Sequence, residues 1–114
     1  MRRDRLGQPV LIVAWNSARP DSRRCVLRVE AFRRSHAGVR VVGVAVDTNP
    51  AELTAATAEL GLDWPQFNDG LGWANPFIRE WGVVRVPRVF VIDAAGRLAG
   101  SAEGDAWEQL AAGL

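Results

Sequence analysis

Two strongly apolar segments, each followed by a helical segment, constrain the fold of this chain most. The first is Val10–Trp15 and the second is Val39–Val46. The first is a continuous apolar run without alternation, which is typical of a strand buried on both faces of a sheet, and the second is a valine-rich segment of the same buried type. A βαβ unit of this length implies a right-handed crossover and parallel pairing of the two strands. The sequence therefore predicts an α/β protein with these two strands side by side.

Proline, asparagine and glycine residues indicate where the helices begin and end. Pro20 suits the first position of a helix that extends to about Ser35. The dipeptide Asn-Pro, which combines a capping side chain with a first-turn proline, opens two further helices near residues 49 and 75. Gly61 ends the longer of these two helices and Gly82 ends the shorter one.

The C-terminal half is predicted to form a hairpin and a last helix. Residues 88–92 and 98–102 read as strands joined by a turn across 93–96. Asp105 and Glu108 have the spacing of a capping box for the final helix. The stretch from 63 to 73 reads as a loop. The predicted element order is therefore βαβα, a short helix, ββ and α.

Length, charge and cysteine content exclude several classes of function. The chain has 114 residues, which predicts one domain over residues 1–114, and its formal net charge is +1. This charge gives no reason to expect a nucleic-acid partner. No apolar run is long enough to span a membrane, and no signal peptide is recognisable. The single cysteine excludes an internal disulfide and multi-cysteine metal sites. No metal and no cofactor are expected.

Trp15, Ser17, Pro20 and Arg23 lie around the start of the first predicted helix. In this spacing they resemble the active-site segment of TlpA-type thiol-disulfide oxidoreductases of the thioredoxin-like superfamily. That family carries a Trp, a Ser or Thr, a Cys-Pro-Pro-Cys motif and then an Arg or Lys. Trp15, Ser17, Pro20 and Arg23 stand in register with this pattern. The resemblance implies a thioredoxin-like fold, with a mixed central sheet of about four strands flanked by helices. It also allows a periplasmic or other extracytoplasmic location in a bacterium.

The pair Val86-Pro87 resembles the segment that holds the family's cis-proline. The resemblance implies that Pro87 is cis and faces the loop at 19–22. In the family, the groove beside this proline holds extended substrate segments by backbone pairing. We therefore expect a peptide or protein partner at Val86 and Pro87.

The two family cysteines are replaced in this chain. Arg19 stands at the first cysteine position and Ser22 at the second. Dithiol exchange requires two sulfurs, so we predict a binding or interaction module without the redox pair, leaning against an enzyme. The degenerate active-site loop then comprises Trp15, Arg19, Pro20, Asp21 and Ser22.

Two alternatives concern the chemistry that remains near this loop. Arg19 is either an anion ligand at a helix N-terminus or a solvated side chain paired with Asp21. Cys25 is either an inert packed residue or the reactive thiol of a divergent oxidoreductase or peroxidase. Activation of Ser22 by the only histidine is excluded, because fourteen residues along one helix separate them by roughly 21 Å.

A further prediction concerns which tryptophans are buried. Trp15 and Trp81 are predicted to lie in the core. Trp64 and Trp73 fall in the predicted loop, where they form either an exposed aromatic surface or part of the packing.

Overall fold

A mixed five-stranded sheet forms the centre of the molecule. The computed structural model describes residues 7–114, so the first six residues of the predicted domain lie outside the described part. The strands are β1 Val10–Trp15, β2 Arg40–Ala45, β3 Gln66–Phe67, β4 Arg88–Ile92 and β5 Leu98–Glu103. Their order is β3-β2-β1-β4-β5, with β1–β2 and β2–β3 parallel and β4 antiparallel to both neighbours. The predicted α/β class and thioredoxin-like fold are confirmed.

Four helices surround the sheet at nearly the predicted positions. They are α1 Pro20–Ser35, α2 Pro50–Leu60, α3 Pro76–Glu80 and α4 Trp107–Ala112, with a 3₁₀ turn at Gly72–Ala74. The Asn49 side chain caps α2 by accepting from the backbone N–H of Ala51, at 3.0 Å. Gly61 ends α2 with φ +71°, a conformation that glycine adopts without steric cost.

The prediction of about four strands is corrected by β3, which lies in the stretch predicted as a loop. A strand of two residues is too short to show alternation, so the sequence carries no period for it. Its position depends on Gly43 of β2, since a Cβ built there would lie 2.0 Å from Gln66 Oε1. That oxygen accepts a hydrogen bond from Trp15 Nε1 at 2.9 Å. The missing side chain of Gly43 thus lets β3 fix the indole at the end of β1.

The predicted capping box of the last helix is wrong. Helix α4 begins after Ala106, and no side chain caps it. Asp105 Oδ1 instead lies 3.3 Å from Arg28 Nε. The carboxylate is therefore engaged by a guanidinium group of α1 rather than by the amides of its own helix.

The two faces of the sheet are covered unequally. One face packs against α1, α2 and α4 in a cluster that includes the fully buried Trp15 and Trp107. The other face carries a smaller cluster built on Ile78, Val83 and Phe90, and α3 is the helix that contributes to it. Alternate residues of β1 supply the two clusters, as the pleat of a strand requires.

The burial of Trp81, Trp64 and Trp73 tests the predictions made for these tryptophans. Trp81 is 39% exposed and stacks on Phe77 with ring centroids 4.7 Å apart, so its placement in the core was wrong. Trp64 is buried, whereas Trp73 is 46% exposed. Of the two tryptophans in this stretch, Trp73 is therefore the exposed one.

Candidate functional site

A cleft of about 400 Å³ opens beside the N-terminal end of α1. One wall comes from the start of α1 and another from the segment that precedes β4. The end of β5 and Trp73 complete the lining. The structure thus brings Arg19, Asp21, Cys25, Val86 and Pro87 to one cavity, although 68 residues separate Arg19 from Pro87 in the chain.

Arg19 and Asp21 form an exposed ion pair at the mouth of the cleft. Arg19 Nε donates to Asp21 Oδ1 and Arg19 Nη2 to Asp21 Oδ2, both at 3.1 Å. This hydrogen bonding from Arg19 holds the pKa of Asp21 below its ordinary value. Asp21 Oδ1 also accepts from the backbone N–H of Ser22 at 2.8 Å. The carboxylate of Asp21 therefore occupies the helix N-terminus. Of the two alternatives for Arg19, the structure has the side chain that is paired with Asp21.

Ser22 and Trp15 turn away from the cleft. Ser22 is fully buried, and its Oγ accepts a hydrogen bond from the backbone N–H of Asn16 at 3.2 Å. Trp15 is fully buried as well and donates to Gln66. Pro20 is exposed as the first residue of α1. Of the five residues predicted for the degenerate loop, Arg19 and Asp21 are the ones that line the cavity.

Cys25 lies one helical turn below the mouth of the cleft, and its side chain is 2% exposed. Its Sγ is 3.9 Å from the carbonyl oxygen of Gly104. Burial, and secondarily the charge of Asp105, raise the pKa of the Cys25 thiol to about 12. Because the thiolate is the nucleophilic form, a thiol in this environment is poorly suited to exchange or peroxide chemistry.

The segment at 84–87 forms the wall opposite α1. Its Val86–Pro87 peptide bond is cis, and both of these residues are buried. Val84 is 78% exposed, and the Arg85 side chain is exposed too. Among residues 7–114, the backbone groups of 84–86 take part in none of the turn, loop or cap hydrogen bonds. This wall thus presents backbone groups that an extended chain can pair with.

A buried polar pair, which the sequence analysis missed, anchors the loop between β1 and α1. Asp47 Oδ1 accepts from the backbone N–H of Ser17 at 3.0 Å, and Asp47 Oδ2 accepts from the Ser17 hydroxyl. Arg23 Nε donates to the carbonyl oxygen of Ser17 at 2.7 Å. Since Ser17 and Asp47 follow parallel neighbouring strands, their proximity at one sheet edge was a signal available in the sequence.

Within residues 7–114, no group of three or more His, Cys, Asp or Glu side chains is placed to hold a metal ion. No helix in that same range is long and apolar enough to cross a membrane.

The sheet order, the crossover helix α1 and the cleft beside Pro87 define a thioredoxin-fold domain. Residues 7–98 match the family model described as "Thioredoxin-like". The chain therefore belongs to the thioredoxin-like family.

One curated relative of this chain is a thiol:disulfide interchange protein. The chain is similar to the thiol:disulfide interchange protein HelX of Rhodobacter capsulatus, with 33% identity over 61 residues. That alignment spans 54% of this chain and 34% of HelX. HelX therefore gives no direct account of what this chain does as a whole.

Solved structures extend the similarity over nearly the full chain. A thiol-disulfide oxidoreductase from Bacteroides fragilis superposes with a TM-score of 0.76 at 17% identity, covering 100% of this chain and 86% of that one. A secreted disulfide oxidoreductase of Mycobacterium tuberculosis gives a TM-score of 0.75 at 17% identity, covering 97% and 85%. Similarity at this level of identity establishes the fold alone.

Proposed function

We propose that this chain is a thioredoxin-like module that binds an extended peptide or protein segment at the cleft beside Pro87, without thiol-disulfide chemistry. The observation that carries the proposal is the environment of Cys25. Its thiol is buried, and burial raises its pKa to about 12. At neutral pH a thiol with that pKa is almost entirely protonated, so it offers little nucleophile to a disulfide.

The positions of the family's two sulfurs support the same proposal. Arg19 is held by Asp21, and the Ser22 hydroxyl is held by the backbone of Asn16. Neither side chain carries a group that exchanges with a disulfide. The cleft nevertheless retains its walls, including the exposed Val84 and the backbone of 84–86, which forms no turn, loop or cap hydrogen bond within the described residues. A groove with these features can bind an extended segment through backbone hydrogen bonds to residues 84–86.

The test of the non-catalytic role combines thiol labelling with a disulfide-reductase assay. We expect iodoacetamide to label Cys25 slowly in the native protein and quickly in denaturant. With dithiothreitol as recycling reductant, we expect the domain to leave the rate of insulin disulfide reduction unchanged. The variant Arg19→Cys with Ser22→Cys is the matched positive control, because it restores two sulfurs to the same frame.

A clear result contradicts the non-catalytic role. If the native protein accelerates the reduction and Cys25→Ala abolishes the acceleration, the chain is an enzyme that uses Cys25. That outcome selects the oxidoreductase or peroxidase alternative, for which the position of Cys25 on the cleft wall is the structural basis.

An extracytoplasmic location is part of the proposal. One structural relative is described as secreted. Fractionation of cells that express the full-length natural protein tests this location, and recovery in the cytoplasm alone contradicts it.

A further inference from the structure

The charged groups of the cleft are unequally partnered. Asp21 pairs with Arg19 at 3.1 Å, Asp105 with Arg28 at 3.3 Å, and Glu103 with Arg88 at 3.3 Å. Each carboxylate that lines the cleft therefore has a guanidinium partner within the chain, and Arg28 is shared between Asp105 and Glu108. The acidic side chains of this surface leave little negative charge for a basic ligand to use.

Two arginines of the cleft have no such match. Arg24 lies on α1 and Arg85 lies on the opposing segment before Pro87, and both side chains are exposed. Within residues 7–114, neither guanidinium group forms an ion pair or a side-chain hydrogen bond. The available charge of the cleft is thus positive, and it is present on both walls.

Apolar surface lies beside these two arginines. Trp73 is 46% exposed and Val84 is 78% exposed, and both line the same cleft. A tryptophan in a partly open cavity offers a large contact area to an apolar or aromatic side chain. The cleft therefore combines an anion-binding element with an apolar one.

We propose that the cleft selects extended segments that carry an acidic side chain next to an apolar one. The carboxylate is bound by Arg24 and Arg85, and the apolar side chain packs on Trp73 and Val84. Arginine suits this role because its planar fork binds a carboxylate through two parallel hydrogen bonds. In an extended chain, side chains two residues apart point to the same side, so the acidic and apolar residues are expected at that spacing. This inference rests on the proposed binding function and adds the chemical class of the partner.

The test uses three pools of acetylated and amidated heptapeptides. The central residue is Glu, Gln or Lys, the residue two positions later is Phe, and the others are mixtures of Ser, Thr and Val. Binding to the purified protein is measured by isothermal titration calorimetry at low and at physiological salt. We expect the Glu pool to bind about tenfold more tightly than the Gln pool, and the Lys pool to bind most weakly.

Two double variants test whether Arg24 and Arg85 cause the preference for the Glu pool. We expect Arg24→Gln with Arg85→Gln to remove the tenfold preference, so that the Glu and Gln pools bind with equal affinity. The matched control is Arg79→Gln with Arg97→Gln, which removes the same charge from exposed sites outside the cleft. That control is expected to preserve at least half of the tenfold preference.

The outcomes distinguish a failure of the acidic preference from a failure of the proposed binding function. If none of the three pools binds, the proposed binding function fails. If all three bind with equal affinity, the groove binds peptides and the acidic preference is overturned. If both double variants remove the preference equally, bulk charge explains it and the assignment to Arg24 and Arg85 is overturned.

Discussion

The two ends of α1 use the same kind of ion pair in opposite ways. At the N-terminal end, Arg19 and Asp21 are 55% and 44% exposed, and their pair lies at the mouth of the cleft. Farther along the helix, the Glu30 side chain is 7% exposed and accepts hydrogen bonds from Trp64, Arg33 and Arg34, each at 2.9 Å. The first pair is exposed to solvent, whereas the second is buried and holds the helix to Trp64.

Burial is the physical cause of this difference. An exposed pair gains little, because water and salt screen the charges and two flexible side chains must be ordered. A buried carboxylate with all its partners is costly to disrupt, since the remaining groups lose their hydrogen bonds in a medium of low polarity. The helix therefore has one end fixed by buried contacts and one end exposed at the cleft.

Removal of the Glu30 carboxylate is expected to have the largest effect. Glu30→Ala leaves the buried Trp64 N–H without its acceptor and separates two arginines from their shared partner. We expect the free energy of unfolding to fall by about 2–3 kcal/mol, measured by urea denaturation. The control is Glu59→Ala, which removes an exposed carboxylate paired with Arg23 and should leave the midpoint unchanged. Equal effects of the two variants would contradict the assignment of a structural role to Glu30.

Removal of the indole N–H is expected to cost less. Trp64→Phe keeps most of the buried aromatic surface and deletes one hydrogen bond to a carboxylate that retains its arginine partners. A loss of about 1 kcal/mol is expected from urea denaturation. Trp73→Phe provides the comparison, because Trp73 is exposed and should tolerate the change. A larger loss from Trp73→Phe than from Trp64→Phe contradicts this prediction.

The pH dependence of stability distinguishes the charge of Glu30 from its packing. Hydrogen bonding, chiefly from Arg33, lowers the pKa of Glu30 from 4.5 to about 2. A lowered pKa in the folded state means that the stabilisation is fully present above pH 4.5 and is lost as the pH falls toward 2. We therefore expect the stability difference between the native chain and Glu30→Gln to shrink over that interval. A difference that stays constant down to about pH 2 would contradict a role for the charge.

The sequence predicted the elements that carry local signals. β1 and α1 have the predicted bounds, because a continuous apolar run and a proline at the first helical position are visible within a short window. β3 was missed because its pairing depends on the approach of Gln66 to Gly43, which no local pattern indicates. The capping box failed for a related reason, since Arg28, which binds Asp105, is distant in the sequence.

The candidate site was predictable in part. The resemblance supplied Arg19 and Pro87, which the structure brings to one cleft. It did not supply Arg24 or Arg85, because exposed side chains on two separate segments have no spacing in common. Their meeting depends on the tertiary fold, and their role depends on which carboxylates are already paired.

The smallest effect is expected at the N-terminal end of α1. Arg19→Ala removes a solvated side chain, and Asp21 keeps its hydrogen bond to the backbone N–H of Ser22 at 2.8 Å. We expect the thermal midpoint to stay within error of the native value, whereas Asp21→Ala should lower it slightly because a helix N-terminus favours a carboxylate. If Arg19→Ala instead destabilises the protein as strongly as Glu30→Ala, the ion pair at the cleft mouth is structural. The loop would then not be free to rearrange around a ligand, and the contrast between the two ends of α1 would fail.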